Sequence, residues 1–178
     1  MGKNVLILSS SPRKKGNSST LCDQFKAGAE LAHHHVEKIL LADKEVHYCN
    51  GCGSCERTGK CAQKDDMGEI LDKMQSADVI VMATPVYFYT MCAQMKTVID
   101  RTVARYTGLS GKDFYFIVTA AENDKEALKR TVEGFRGFTS CLSRAKEKGV
   151  IYGTGAWKIG DIQSTQAMAQ AYEMGKTV

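Results

Sequence analysis

Short apolar runs alternate along this chain with stretches in which apolar residues recur at helical spacing. The runs are Asn4–Ser9 (NVLILS), Val36–Leu41, Asp78–Ala83 (DVIVMA), Phe114–Thr119 (FYFIVT) and Val150–Tyr152. Runs this short and nearly continuous in apolar residues predict strands buried on both faces. Helical spacing predicts a helix from about Ser18 to Ala32, and another opened by Asp65-Asp66-Met67 with Ile70, Leu71 and Met74 on one side. A third helix is predicted over Met91–Tyr106 with Met95, Val98, Ile99 and Val103 in register, a long one follows Thr119, and a last one covers Thr165–Met174. Strands each followed by a helix make a parallel sheet covered on both faces, so five such units predict an α/β doubly wound sandwich. The only two prolines, Pro12 and Pro85, each lie just after a predicted strand. Both therefore fall at the carboxyl edge of the sheet, where open α/β sheets bind ligands near the topological switch point.

Length and composition narrow the class. At 178 residues the chain suits one well-buried core and is too short for two ordinary domains, so residues 1–178 read as a single domain. Hydrophobic residues at 43% and charged residues at 25% are ordinary for a soluble globular protein. No apolar run approaches the roughly 20 residues of a membrane helix. Val5–Leu8 is too short for the apolar centre of a signal peptide, and Leu6 stands where a myristoylation signal requires Ser or Thr, so export is not expected. Seven cysteines, an odd number with four in one short segment, argue against a secreted disulfide framework and for reduced thiols in a cytoplasmic compartment. The net charge of +4 is mild, and apart from Arg13-Lys14-Lys15 the cations are scattered among acids, a pattern that does not demand nucleic acid. His33-His34-His35 reads as an exposed helix-to-strand connection rather than a metal site, because consecutive side chains diverge. Cys22, Cys92 and Cys141 fall in predicted helices and read as small buried hydrophobes.

After the first strand the chain reads Ser9-Ser10-Ser11-Pro12-Arg13-Lys14-Lys15-Gly16-Asn17-Ser18-Ser19-Thr20. Hydroxyls, an amide, a cation run and a helix N-terminus in one place make an anion site, since free backbone N–H groups at a helix start favour a phosphate. The alternative is that Asn17, Ser18 and Ser19 only cap the helix. No Gly-x-x-x-x-Gly-Lys-Ser/Thr is present, which excludes a nucleoside triphosphate loop of that type, and no Gly-x-Gly-x-x-Gly follows a strand. A Rossmann dinucleotide site is not supported. After the third strand, Thr84-Pro85-Val86-Tyr87-Phe88-Tyr89-Thr90-Met91 brings three aromatics to the same edge. They suit the wall of a planar ring system, or else close the core over the strand end.

Between the second strand and its helix lies Cys49-Asn-Gly-Cys52-Gly-Ser-Cys55-Glu-Arg-Thr-Gly-Lys-Cys61. Three thiols at two-residue intervals with a fourth nearby, in a Gly-rich loop, fit the ligand set Cys49, Cys52, Cys55 and Cys61 of a [4Fe–4S] cluster. Structural zinc sites space their ligand pairs more widely. Zinc, and thiols that hold no metal, stay open as alternatives.

These segments together resemble a known family. Ser11-Pro-Arg-Lys-Lys-Gly-Asn-Ser-Ser19, the Cys-x-x-Cys-x-x-Cys loop leading into Lys64-Asp65-Asp66-Met67, and Thr84-Pro85-Val86-Tyr87-Phe88 followed by Gln94-Met95-Lys96 through Asp100-Arg101 are similar to the flavodoxin-like NAD(P)H-dependent FMN reductases, in particular their iron–sulfur flavoprotein branch. The match runs over about residues 3–105. It implies a flavodoxin-like three-layer sandwich, with a five-stranded parallel sheet in the order 2-1-3-4-5 and the cysteine loop inserted after strand 2. It also implies non-covalent FMN, with the phosphate over Ser11, Arg13, Asn17, Ser18 and Ser19 and the ring over Thr84, Pro85, Val86, Tyr87 and Phe88. Thr119-Ala120-Ala121 resembles the family's third flavin loop, with two alanines where a glycine pair is common. A homodimer or dimer of dimers with flavins near the interface is implied as well.

The expected function is an FMN-dependent oxidoreductase that accepts hydride from NAD(P)H and passes electrons to a small-molecule acceptor or a ferredoxin-like protein, through a cluster if one is present. Such an enzyme needs no catalytic side chain of its own, since the cofactor carries the chemistry. The rival is a flavodoxin-like electron carrier or flavin-binding interaction protein without NAD(P)H turnover, and a zinc-stabilised regulatory module is a third reading.

Overall fold

The computed structural model describes residues 2–178. Strands β1 (Asn4–Ser9), β2 (His35–Leu40), β3 (Val79–Tyr87), β5 (Asp113–Thr119) and β6 (Lys146–Gly153) form a parallel sheet in the order β2-β1-β3-β5-β6. This is the flavodoxin-like order. The sixth strand, β4 (Thr90–Met91), was not anticipated; it folds back antiparallel on the end of β3, pairing Val86 with Met91 and Tyr87 with Thr90. Helices α1 (Asn17–Leu31), α3 (Met67–Ser76), α4 (Ala93–Arg101), α5 (Lys129–Ser140) and α6 (Gln166–Lys176) cover the sheet, and a short helix, α2 (Ser54–Thr58), stands inside the cysteine loop.

Side-chain alternation on strands buried from both sides explains why the runs are apolar throughout. Val5, Ile7, Val79, Val81, Tyr115 and Ile117 face α1 and α6, where Leu21, Phe25 and Ala171 meet them. Leu6, Leu8, Ile80, Met82, Phe114 and Phe116 face the other way, onto a core with Ile70, Met74, Met95, Val98 and Phe135. Phe116 stacks on Phe135 with ring centroids 4.9 Å apart. No helix among the described residues is long and apolar enough to cross a membrane.

Three local expectations are corrected. The helix expected over Met91–Tyr106 is interrupted at both ends: Met91 belongs to β4, and after Arg101 the chain tightens into 3-10 turns. Val103 therefore leaves the core register and stands half exposed. Cys22 and Cys92 are buried as expected, whereas Cys141 lies exposed at the end of α5.

Candidate functional site

Loops leaving the carboxyl ends of β1, β3, β5 and β6 enclose a cavity of about 560 Å³. That volume lies within the range of about 300–1,000 Å³ usual for small-molecule sites. The first loop contributes Ser11, Arg13, Asn17 and Ser18, the second Pro85, Val86, Tyr87 and Phe88, and the third Thr119 and Ala120. The fourth loop, which the sequence reading did not assign to the site, adds Ala156 and Trp157.

At the start of α1 no side chain caps the helix, so its first amides are not claimed by a capping side chain. Gly16 makes the tight turn before it; a Cβ there would sit 2.6 Å from Ser11 Oγ and 3.0 Å from the Arg13 carbonyl oxygen, so a larger residue would push the loop open. Ser18 is 1% exposed, and its hydroxyl has no hydrogen-bond partner in the protein. The residues on either side of it are spent on the fold. Asn17 Nδ2 donates to the carbonyls of Ala156 (3.2 Å) and Lys158 (2.9 Å), while Oδ1 accepts the Gly160 N–H (3.1 Å). These bonds fasten the fourth loop to the first. Ser19 Oγ accepts from Lys38 Nζ at 2.9 Å and does not line the cavity. Arg13 is exposed and donates to the Trp157 carbonyl at 3.4 Å, and Lys14 is paired with Asp43.

Beneath the second loop, Thr84 also lies outside the cavity lining. Its Oγ1 accepts the Cys92 N–H at 3.0 Å and donates to the Pro85 carbonyl at 2.8 Å. The Cys92 thiol donates to Ser10 Oγ at 3.1 Å, and Ser10 Oγ donates to the Ala83 carbonyl at 2.7 Å. This network locks the ends of β1 and β3 together below the cavity floor. At the tip of the β3–β4 hairpin, Phe88 and Tyr89 adopt φ of 50° and 63°. Left-handed backbone at both central positions of a two-residue hairpin ordinarily selects Asn-Gly. Here two aromatics accept the strain, and Phe88 is 99% exposed at the cavity mouth.

The cysteine loop forms a second cavity, of about 120 Å³, lined by Cys49, Cys52, Cys55, Cys61 and Arg101 among others. Its base is closed by paired bonds between Glu45 and Asp66, the Asp66 N–H to the Glu45 carbonyl (2.9 Å) and the Glu45 N–H to Asp66 Oδ2 (2.7 Å). Gly51, Gly53 and Gly59 each take φ of 67°, the left-handed turns that fold so short a loop on itself. Among the described residues no three His, Cys, Asp or Glu side chains converge closely enough to hold a single metal ion.

Behind this cavity lies a buried ion pair between Asp65 and Arg101, two residues of the family-like segments whose pairing the sequence did not show. Arg101 and Asp65 have side chains 1% and 0% exposed. Arg101 Nη1 donates to Asp65 Oδ2 (2.7 Å) and to the His47 carbonyl (2.6 Å), and Nη2 donates to Asp65 Oδ1 (2.9 Å) and Cys61 Sγ (3.4 Å). Burial works against the Asp65 charge, but the Arg101 hydrogen bonds and the backbone amides of His47 and Met67 outweigh it and hold the carboxyl down at about 2.

The sequence model of a family described as NADPH-dependent FMN reductase matches residues 3–139. The chain belongs to that family. An iron-sulfur flavoprotein of Archaeoglobus fulgidus is 43% identical over 99 residues, which cover 56% of this chain and 44% of that protein. An iron-sulfur flavoprotein of Methanocaldococcus jannaschii is 42% identical over 98 residues, covering 55% of this chain and 51% of its own. The chain thus spans about half the length of these relatives. Among solved structures, an FMN-dependent NADH-azoreductase from Bacillus anthracis in complex with FMN superposes with a TM-score of 0.76 at 16% identity, covering 99% of both chains. At that identity the likeness shows the fold. This FMN reductase family member therefore carries one candidate cavity at the sheet's switch point and another inside its cysteine loop.

Proposed function

We propose that this family member is an FMN-dependent oxidoreductase that draws reducing equivalents from NADH or NADPH and delivers them to a small-molecule or protein acceptor. The observation that carries this reading is the buried, unpartnered Ser18 hydroxyl at an uncapped helix N-terminus lining the cavity. Those groups fit a phosphate, and the apolar walls above them fit a planar ring. The amides opening α1, with Ser11, Ser18 and the Arg13 guanidinium, would hold the FMN phosphate. Pro85–Phe88 would wall the ring, with Thr119 and Ala120 beside it, and exclude water from its face. Asn17, Ser19 and Thr84 would serve the site indirectly, by holding its loops. Bound FMN supplies a ring that takes up hydride and releases electrons in pairs or singly. The exposed Phe88 at the mouth is where a second copy of the chain would complete the site.

The cysteine loop fits a [4Fe–4S] cluster held by Cys49, Cys52, Cys55 and Cys61. Four thiols line one cavity without converging on a point. That suits a cube that spreads its ligands over four irons, and disfavours zinc, which draws its ligands to about 2.3 Å from one centre. The iron-sulfur flavoprotein name borne by the relatives supports the same assignment. Helix α4 runs from Ala93 in the first cavity to Arg101 in the second, eight residue steps or about 12 Å at the helical rise. One rigid element would thus hold the two cofactors at a set separation.

The test is an absorbance spectrum of protein purified without oxygen, with iron and acid-labile sulfide counted per chain, followed by addition of NADH or NADPH. Flavin bands that bleach promptly support a reductase. Bound flavin that fails to bleach would make the protein a carrier reduced by a protein partner, and absence of iron and sulfide would leave the cysteine loop without a cluster.

A further inference from the structure

We propose that Arg101 sets the electron affinity of the cluster at the cysteine loop, through the hydrogen bond from its Nη2 to the Cys61 sulfur, with Asp65 as the opposing weight. This rests on the cluster reading above. Arg101 ends α4, is 1% exposed and has its guanidinium fixed by Asp65 and the His47 carbonyl, so it cannot swing away from the loop. The attraction between Arg101 and Asp65 does not by itself require an arginine aimed at the loop. Replacing a buried ion pair by apolar groups is often neutral or favourable, and here the Arg101 Nε is buried with no partner at all, an added cost. What the arrangement does uniquely is aim one N–H of a fixed cation at one of four thiol sulfurs, at 3.4 Å.

Adding one electron to a thiolate-held cluster makes no bond and breaks none; it raises the negative charge by one, shared between sulfide, thiolates and iron. Hydrogen bonds to the sulfurs and nearby cations favour the more negative state and raise the reduction potential. A carboxylate nearby lowers it. Arg101 and Asp65 therefore pull the potential in opposite directions, and the Nη2–Sγ contact gives the arginine the nearer position. Of the remaining charged groups, Glu56 also lines the cavity, but from the exposed side, where solvent screens it.

The experiment is a reductive titration with dithionite of anaerobically purified holoprotein, reading the cluster by electron paramagnetic resonance and the flavin by absorbance in the same sample. Arg101→Gln is expected to lower the cluster potential and Asp65→Asn to raise it, with the flavin potential unmoved in both. A purely structural role would reduce the fraction of chains carrying a cluster, or shift both variants alike, without opposite displacements in the clusters that form. Unchanged potentials, or shifts of the same sign, overturn the proposal. If Arg101→Gln does not fold, Asp65→Asn decides alone: a rise supports it, and no change or a fall overturns it. Wild-type protein without iron and sulfide would refute the cluster reading itself, before any variant is made.

Discussion

Ser18→Ala should move protein stability and FMN affinity in opposite directions. In the free protein the Ser18 hydroxyl is buried and unpartnered. An unsatisfied buried polar group costs about 1–3 kcal/mol, so removing it should raise the unfolding free energy of the flavin-free protein by about 1 kcal/mol, with a few tenths more from alanine's helix preference. For a chain of this size that is a rise of about 2–4 °C in melting temperature. With FMN bound, the same hydroxyl would donate to a charged phosphate, an interaction of about 1.5–3 kcal/mol. Its loss should weaken FMN binding about 10- to 100-fold. Urea unfolding of flavin-free protein, followed by circular dichroism, gives the first quantity; titration with FMN, followed by flavin fluorescence, gives the second. A variant that is less stable without flavin but binds FMN as tightly as wild type would refute the reasoning, because the hydroxyl would then have a structural partner and no ligand.

Asn17→Ala should lose about 2–3 kcal/mol of stability, from three hydrogen bonds at about 1 kcal/mol each, and should release the loop that carries Trp157, the chain's single tryptophan. FMN should quench wild-type tryptophan emission and quench the variant less; equal quenching would separate Asn17 from that loop. Replacing Phe88-Tyr89 by Asn-Gly relieves left-handed strain of about 1–2 kcal/mol per residue and should raise flavin-free stability while weakening FMN binding, both readable in the same urea and titration assays. Asp65 gives an acid-stability signature. Its carboxyl is held at about 2 against an ordinary 3.8. A depressed carboxyl contributes stability that is complete above its ordinary value and disappears as pH falls through its folded value. About 2 kcal/mol should therefore be lost between roughly pH 5 and 2, and Asp65→Asn should flatten unfolding curves over that window. A variant with the wild-type acid profile would show the pair contributes nothing to folding.

The layered fold was legible because its signal is local: a short, β-branched apolar run such as Val79–Ala83, repeated between helical stretches, reads as a strand covered from both sides. The cysteine spacing and the polar loop before α1 were equally plain. Less legible was the division of labour inside that loop. Ser18 and Asn17 look interchangeable as phosphate ligands, yet one hydroxyl is unpartnered and the other side chain is consumed by residues up to 143 positions away. Strand β4 was missed because two residues give no periodicity, and its turn carries Phe-Tyr where hairpins ordinarily signal Asn-Gly.

Taken alone, the sequence determined the elements and the candidate chemistry: strands from apolar runs, the sheet edge from two prolines, and metal-ligating capacity from four clustered thiols. Only the tertiary structure decided which polar side chains have partners within the protein. It spent Asn17, Ser19 and Thr84 on the scaffold, brought Trp157 to the cavity, and set Arg101 against Cys61. The reason is physical. Most buried polar groups find a partner, and which partner each finds depends on where distant segments of the chain come to rest.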